Sequence, residues 1–237
     1  EVDNFMSNGL LAWYPFSSEA KILILNSRNN STNYFLGCGN NINIESSDLD
    51  TFINSYSRYA TNLYDYIIGI LAIENVDNPV DLLLKTRKCL KPTGKLILVT
   101  DNKLGLRYFC GEKTLNYNGF FGNLNALSSF SESNNTKKNF LKAEIKDFLC
   151  SCGFNNINCY SILPNLYKPQ LIFNENYTPT EKMENRYIPY YEDSDNIFLD
   201  EAKIYDALIK NNVFHEFANN YLFECSNFPL ESNIFQI

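Results

Sequence analysis

Residues 64–111 read YDYIIGILAIENVDNPVDLLLKTRKCLKPTGKLILVTDNKLGLRYFCG, and this stretch determines the fold. The apolar run at 66–71 predicts a buried strand, and the spacing of apolar residues over 80–90 predicts an amphipathic helix. The breaker-rich residues 91–94 predict a turn, and the apolar run at 95–100 predicts a second strand. Two buried strands joined by a helix indicate parallel pairing in a sheet that is covered on both faces.

The same patterns predict further elements on both sides of this stretch. Apolar runs of strand length alternate with segments whose apolar residues recur at helical spacing. The predicted strands cover residues 21–25, 42–44, 156–163 and 218–225, and the predicted helices cover residues 30–38, 48–59, 140–152 and 200–211.

Composition excludes several classes of function. The chain has 237 residues, a net charge of -7 and no basic run, which argues against nucleic-acid binding. No apolar run reaches membrane-spanning length, so we expect a cytoplasmic protein without a membrane span. The seven cysteines are scattered and there is one histidine, which predicts reduced thiols and no metal site. We attribute the abundant asparagine to genomic base composition rather than to function.

Several motifs resemble one enzyme family. The runs YDYIIGIL and LKPTGKLILVTDN resemble the fourth and fifth strands of class I S-adenosylmethionine-dependent methyltransferases. The continuation NKLGLRYF, with LLAWYPF at 10–16, ILPNLYKP at 162–169 and the segment 200–225, is similar to the methyltransferase domains associated with bacterial cell-surface glycosyltransferases. The resemblance implies an α/β, Rossmann-like class I methyltransferase sheet that is mostly parallel and has an antiparallel last strand.

The resemblance also gives expectations about domain organisation. Residues 1–237 form a single methyltransferase-like domain, with irregular insertions or a lid at 112–139 and 167–199. Few residues separate the helix at 48–59 from the strand at 66–71, which implies a sheet trimmed by a strand or a helix. The chain begins with Glu1 rather than Met, and we therefore expect a domain excised from a longer protein.

The predicted cofactor site lies after the first strand, where the family has a glycine-rich turn. Residues 26–31 read NSRNNS and contain no glycine and no acid. Backbone groups at Asn26, Ser27 and Asn29 are the predicted contacts to S-adenosylmethionine. Glu45, expected at the tip of the second strand, is either the acid that binds the ribose hydroxyls or a solvated acid. Gly69 completes the predicted cleft.

The polar residues that the family carries beyond its fourth and fifth strands are missing from this chain. Ala72 replaces an acid, and residues 114–116 (TLN) replace an acid-acid-histidine group. A general base needs a titratable side chain, so no catalytic residue is assigned. The family's later acid is Asn165 here, and His215, which has no acid or cysteine near it in sequence, is interpreted as structural.

Two hypotheses about function follow. In the first, the chain is a pseudoenzyme that binds a partner in surface-glycan biosynthesis, either a glycosyltransferase or an active methyltransferase. In the second, it is an active S-adenosylmethionine-dependent methyltransferase with an atypical site, acting on a glycan or a small-molecule precursor. Methyl transfer often needs only alignment of donor and acceptor, which keeps the second hypothesis open. A carbohydrate-binding domain that uses the aromatic residues is a third alternative.

Overall fold

A computed structural model describes residues 10–26, 42–59, 61–113, 138–180, 182–191 and 194–226. Within these residues a sheet is surrounded by short helices. The strands are β1 (Lys21–Asn26), β2 (Asn43–Asp48), β3 (Tyr64–Ile70), β4 (Leu90–Asp101), β5 (Asn156–Leu163), β6 (Leu171–Asn174) and β7 (Asn220–Ser226). The described helices are α1 (Leu49–Asn54), α2 (Pro79–Cys89), α3 (Leu106–Cys110), α4 (Lys142–Ser151) and α5 (Glu201–Lys210). The predicted helix at 30–38 lies outside the described residues.

The seven strands have the order β2-β1-β3-β4-β7-β5-β6. Strands β1 to β4 pair in parallel with one another. The last strand, β7, lies between β4 and β5 and is antiparallel to both. Edge strand β6 is antiparallel to β5. The predicted Rossmann-like fold class, with its antiparallel last strand, is therefore confirmed.

One edge of the sheet agrees with the expectation from sequence and the other does not. Between β2 and β3 the described residues form α1 and a 3-10 turn at Tyr56–Arg58 but no strand, which agrees with a trimmed sheet. At the other edge, the prediction of an irregular segment over 167–199 was wrong for Leu171–Asn174, which pairs with β5. These four residues form a strand because β5 offers them an unpaired edge.

The predicted turn at 91–94 exists, but it lies within strand β4. Tyr64 pairs with Leu90, whereas Tyr66 pairs with Lys95, so four residues of β4 are looped out of the ladder. A Cβ atom at Gly94 would lie 2.9 Å from the Tyr64 carbonyl oxygen. Glycine therefore allows this bulge to pack against the start of β3.

Helix α2 begins where the sequence predicts. The Asn78 side chain accepts a hydrogen bond from the Asp81 backbone N–H, and Pro79 occupies the first helical position. Both features stabilise a helix start, because the amide groups of the first turn have no intrahelical partner. The apolar side of α2, with Leu82 and Leu83, packs on the sheet.

Two apolar layers cover the two faces of the sheet. On one face, residues from α1, α2 and α4 pack against the strands. On the other face, Leu10, Leu11 and Tyr14 are buried against β1, β3 and β4. The Tyr14 hydroxyl donates a hydrogen bond to Glu224 of β7, which ties the N-terminal aromatic segment to the sheet. A third apolar cluster surrounds α3 and α5.

Candidate functional site

The candidate site is the edge at which the parallel strands end. The chain leaves β1 to form β2 on one side and later β3 on the other, so strand order reverses at β1. Ligands of open α/β sheets bind outside the carboxyl ends of the strands at such a reversal. Asn26 ends β1 and pairs with both Asp48 and Ile70. The other two predicted contacts in this turn, Ser27 and Asn29, lie outside the described residues.

Glu45 does not stand at the tip of the second strand, and that expectation was wrong. Strand β2 continues to Asp48, so Glu45 lies in its middle, opposite Leu23 of β1. Its carboxylate accepts a 2.6 Å hydrogen bond from the hydroxyl of Tyr64, the first residue of β3. The Lys21 ammonium at the start of β1 lies over the same tyrosine ring. Glu45 is thus tied to a residue from the amino-terminal end of β3.

Asp48 is the acid that the structure places at the carboxyl edge beside Asn26. Its side chain accepts a 2.7 Å hydrogen bond from the Thr51 backbone N–H and caps α1. Hydrogen bonds from the Thr51 side chain and from its backbone N–H hold the pKa of the Asp48 carboxyl below its ordinary value. The sequence identified the cap but not the strand that runs up to it, because the polar residues of β2 do not resemble a buried strand.

Gly69 lies in the last part of β3, between Leu25 of β1 and Leu98 of β4. A Cβ atom at this position would lie 3.1 Å from Ala72 Cβ and 3.2 Å from Leu98 Cδ1. The glycine is therefore packed closely by its neighbours on that face. Ala72, at the position where the family has an acid, is itself buried.

Further along the same edge, a network of polar side chains begins at the end of β4. The Asp101 carboxylate accepts hydrogen bonds from Arg107 Nη2 at 2.7 Å, from the Tyr108 hydroxyl and from Asn139 Nδ2 at 3.2 Å. The Arg107 guanidinium also lies 3.2 Å, from Nε to Oε2, from Glu112. Burial alone would lower the pKa of Arg107, but Asp101, Tyr108 and Glu112 raise it well above its ordinary value. The guanidinium therefore stays charged between two carboxylates.

Buried asparagines connect this network to β5 and β7. Asn102 Nδ2 donates to the carbonyl oxygens of Glu216 and Ala218 at 3.0 and 2.7 Å. Asn219 Oδ1 accepts from the Arg107 backbone N–H at 3.0 Å. Amide side chains suit such places because each both donates and accepts. The buried asparagines at this edge are Asn102, Asn165, Asn219 and Asn220.

The His215 imidazole has two hydrogen-bond partners. Its Nε2 is 3.0 Å from the Tyr177 carbonyl oxygen, and its Nδ1 is 2.8 Å from the Ser161 hydroxyl oxygen. Because a carbonyl only accepts, Nε2 carries the proton and Nδ1 accepts from the serine. Burial lowers the pKa of His215 below its ordinary value. Ser161 has no exposed surface, so the pair connects structural elements, in agreement with the structural interpretation of His215.

The described residues contain no group of three or more histidine, cysteine, aspartate or glutamate residues arranged to hold a metal ion. The cysteines that the structure places are free thiols. No helix in the described part of the chain is long and apolar enough to cross a membrane.

Comparisons with known proteins agree with the topology. No protein-family model and no curated protein matched the sequence. A crystal structure of an S-adenosylmethionine-dependent methyltransferase from Archaeoglobus fulgidus superimposes with a TM-score of 0.50 and 11% identity, over 94% of this chain and 96% of that one. The chain has the class I methyltransferase fold.

Two further solved structures are similar to this chain at lower TM-scores. A possible histamine N-methyltransferase of Thermotoga maritima has a TM-score of 0.48 and 12% identity, over 96% of this chain and 92% of its own. A Haloferax volcanii putative methyltransferase, solved with its Trm112 activator, has a TM-score of 0.47 and 11% identity, over 95% and 90%.

The sequence does not reveal the network at Asp101 and Arg107. The motif DNKLGLRY resembles the family, but nothing in its pattern indicates that its charged residues contact each other. Asp101 and Arg107 are six residues apart and meet only because α3 turns back at Gly105. The segment 114–116, where the family has polar residues, lies outside the described residues.

Proposed function

We propose that this chain is a degenerate methyltransferase-fold domain that does not catalyse methyl transfer and acts by binding a partner enzyme in surface-glycan biosynthesis. The partner class, a glycosyltransferase or an active methyltransferase, comes from the sequence resemblance. A cytoplasmic location in a bacterium follows from the same resemblance.

The observation that carries the proposal is the pairing of Asp101. Both carboxylate oxygens accept hydrogen bonds from neighbouring side chains, and Arg107 supplies a positive charge. A carboxylate held in this way is not free to take a proton from an acceptor substrate. Glu112 shares the same guanidinium. Asp101 and Glu112, both near the carboxyl edge, therefore stabilise the fold through Arg107.

The cofactor residues support the same conclusion. Of the predicted contacts that the structure describes, Glu45 binds Tyr64 and Gly69 packs against Ala72 and Leu98. Neither is arranged to hold the ribose or the methionine portion of S-adenosylmethionine. The turn that begins at Asn26 has no glycine, although a close backbone approach to a cofactor usually requires it. We therefore derive no catalytic step through this cofactor.

A second candidate function is favoured by Asp48. This acid stands at the end of β2 next to Asn26, where the ribose hydroxyls of a nucleoside cofactor are bound in folds of this type. Its cap bond to Thr51 uses Oδ1. An active methyltransferase with an atypical site would then use Asp48, not Glu45, as the ribose acid.

Calorimetric titration with S-adenosylmethionine and S-adenosylhomocysteine separates the two functions. For the folded protein we expect no binding heat at millimolar ligand. Micromolar binding would contradict the degenerate site. In that case Asp48→Ala should weaken the binding, and Glu45→Ala serves as the matched control on the same strand.

The partner is tested separately, because the absence of cofactor binding does not identify it. Purified glycosyltransferases and methyltransferases from the source organism would be mixed with the domain and separated by size-exclusion chromatography. We expect co-elution with one of them and a change in its turnover. Separate elution from every such enzyme would contradict the partner-binding function.

A further inference from the structure

Glu201 is a buried acid that the network around Asp101 does not use. It is the first residue of α5, and its side chain has no exposed surface. We call residues 182–191 the arm. The arm packs on α5 and α3 through Met183 and Tyr187, which belong to the same apolar cluster as Tyr205 and Cys110. Glu201 therefore lies between the arm and the carboxyl edge of the sheet.

The two oxygens of the Glu201 carboxyl have different surroundings. Oε1 accepts hydrogen bonds from Asn219 Nδ2 at 2.7 Å and from the Tyr187 hydroxyl at 3.2 Å. Oε2 is buried and makes no hydrogen bond of ordinary geometry among the described residues, although the Tyr191 hydroxyl of the arm also interacts with the carboxyl. These donors are all neutral, so an ionised Glu201 would be a buried charge without a cation of its own. Burial therefore favours the neutral acid.

The charges around Glu201 favour the same state. Asn219 bridges Glu201 to the Arg107 backbone, but the Arg107 guanidinium is already shared by Asp101 and Glu112. A charged Glu201 would add a second net negative charge to this buried group. The other titratable groups that face it are neutral thiol and phenol groups, whose pKa values burial raises: Cys110 from α3, Tyr187 and Tyr191 from the arm, and Tyr205 from α5.

We propose that Glu201 is a proton-controlled latch: the neutral acid holds the arm against α5, and ionisation releases it. The Tyr187 hydroxyl donates to the carboxyl and is the direct polar link between the arm and the acid. Ionisation would strengthen this bond, so release is driven by the cost of burying the charge and not by loss of the bond. Burial raises the pKa of Glu201 to about 7, although hydrogen bonds from Asn219 and Tyr187 and the charge of Arg107 lower it. The proton therefore leaves the closed state near neutral pH.

Opening of the arm is the direct way to hydrate an ionised Glu201. Within the arm, Met183 and Tyr187 are buried, while Lys182, Arg186 and Ile188 are exposed, so the arm is a thin cover. The Met183 backbone N–H donates to Asp206 of α5, and the Ile188 backbone N–H and carbonyl pair with the Gln170 side chain. An opening that hydrates Glu201 therefore breaks bonds on both sides of Tyr187.

The test is hydrogen exchange of arm amides in the folded protein from about pH 5 to about pH 8.5, corrected for intrinsic exchange. When the arm is open, Glu201 is exposed to water and has its ordinary pKa of 4.5. When the arm is closed, the pKa of Glu201 is about 7. One linked proton makes the opening equilibrium rise about tenfold for each pH unit between these values and then level off. In Glu201→Gln, a mimic of the neutral acid, opening should not depend on pH.

A matched control is Glu184→Gln, which removes an exposed acid from the same arm and should leave the pH dependence intact. Tyr187→Phe removes a hydrogen-bond donor to the ionised Glu201 carboxylate. In this variant the opening equilibrium should therefore level off at a higher pH than in the wild type. Hydrogen exchange of the arm amides that does not depend on pH in the wild type would refute the latch. The same pH dependence in Glu201→Gln as in the wild type would also refute it. If Glu201→Gln does not fold, an unchanged pH dependence in Tyr187→Phe would refute it.

Discussion

Two glutamates of this fold are both buried, yet their surroundings favour opposite states. Glu224 on β7 is 6% exposed and receives hydrogen bonds from Tyr14, Asn158 and the Lys95 ammonium, the last at 2.9 Å. Burial would raise its pKa, but these bonds and the lysine charge lower it overall. Glu201 has amide and phenol donors but no cation of its own, and burial raises its pKa to about 7.

The comparison shows that a dedicated cation, more than the number of hydrogen bonds, decides which buried acid is ionised. Glu201 faces three neutral donors, Asn219, Tyr187 and Tyr191. Glu224 also has three donors, and one of them is the positively charged Lys95. Desolvation of a carboxylate costs several kcal/mol, and neutral donors recover only part of that. The following predictions test the difference by removing a cation or by removing the charge of the acid.

The largest effect is expected from Arg107→Met. The substitution would leave Asp101 and Glu112 without their cation, so both would resemble Glu201. Removing one partner of a buried ion pair costs about 3–5 kcal/mol of unfolding free energy. Urea denaturation at pH about 7 should report this loss. A loss below about 1 kcal/mol, the size expected of an exposed pair, would contradict the comparison.

The control for Arg107→Met is Lys88→Met, because Lys88 is an exposed basic residue on α2. Surface substitutions of this kind change stability by about 0.5 kcal/mol or less. A similar loss in both variants would indicate that the net charge of the protein, rather than the buried pair, is responsible.

The second effect concerns global stability and Glu201. Its pKa is raised from 4.5 to about 7, so the folded state holds the proton that the unfolded state has already released. Stability is therefore full below about pH 4.5 and falls as pH rises to about 7, by about 3 kcal/mol in total. Chemical denaturation across this range should show the decrease in the wild type and not in Glu201→Gln. A wild type that gains stability relative to the variant would contradict the assignment.

The smallest effect is expected from Lys95→Met, because the Lys95 side chain is 30% exposed and water weakens the pair. We expect a loss of about 1–2 kcal/mol at pH about 7. The pKa of Glu224 is lowered, so its pairing stabilises the fold above the ordinary pKa and is lost as pH falls through the folded value. The deficit of the variant, measured by thermal unfolding, should therefore fade in acid, and a constant deficit would contradict the role of the charge.

Much of the fold could be predicted from the sequence, because the central strands are apolar and turn-forming residues mark where strands and helices end. Strand β5 occupies Asn156–Leu163, as predicted, and α2 begins at the proline that marks its first turn. Strands β2 and β6 could not be predicted well. Each lies at an edge of the sheet, where one side is free of strand pairing and burial is incomplete. The apolar pattern that identifies a strand is weak at such positions.

The site was less predictable because its residues meet through tertiary packing. Glu45 was expected at a strand tip because the second strand was predicted to end at residue 44. The strand β2 in the structure ends four residues later, at Asp48, which takes the place expected for Glu45. Asparagine was attributed to base composition, although Asn102, Asn219 and Asn220 are buried and bridge strands. An asparagine that will be buried and hydrogen-bonded looks the same in sequence as one on the surface. Periodicity therefore cannot separate the two.

The position of β7 has a consequence for the order in which the chain folds during synthesis. Strands β4 and β5 both form their ladders with β7, and β7 is the last described strand to be synthesised. The sheet therefore remains in two unjoined parts, β1 to β4 and β5 with β6, until residues 220–226 leave the ribosome. During that interval, the edges of β4 and β5 that later pair with β7 are unpaired and can pair with strands of other molecules. Joining of the two parts therefore depends on β7, the last strand that the structure describes.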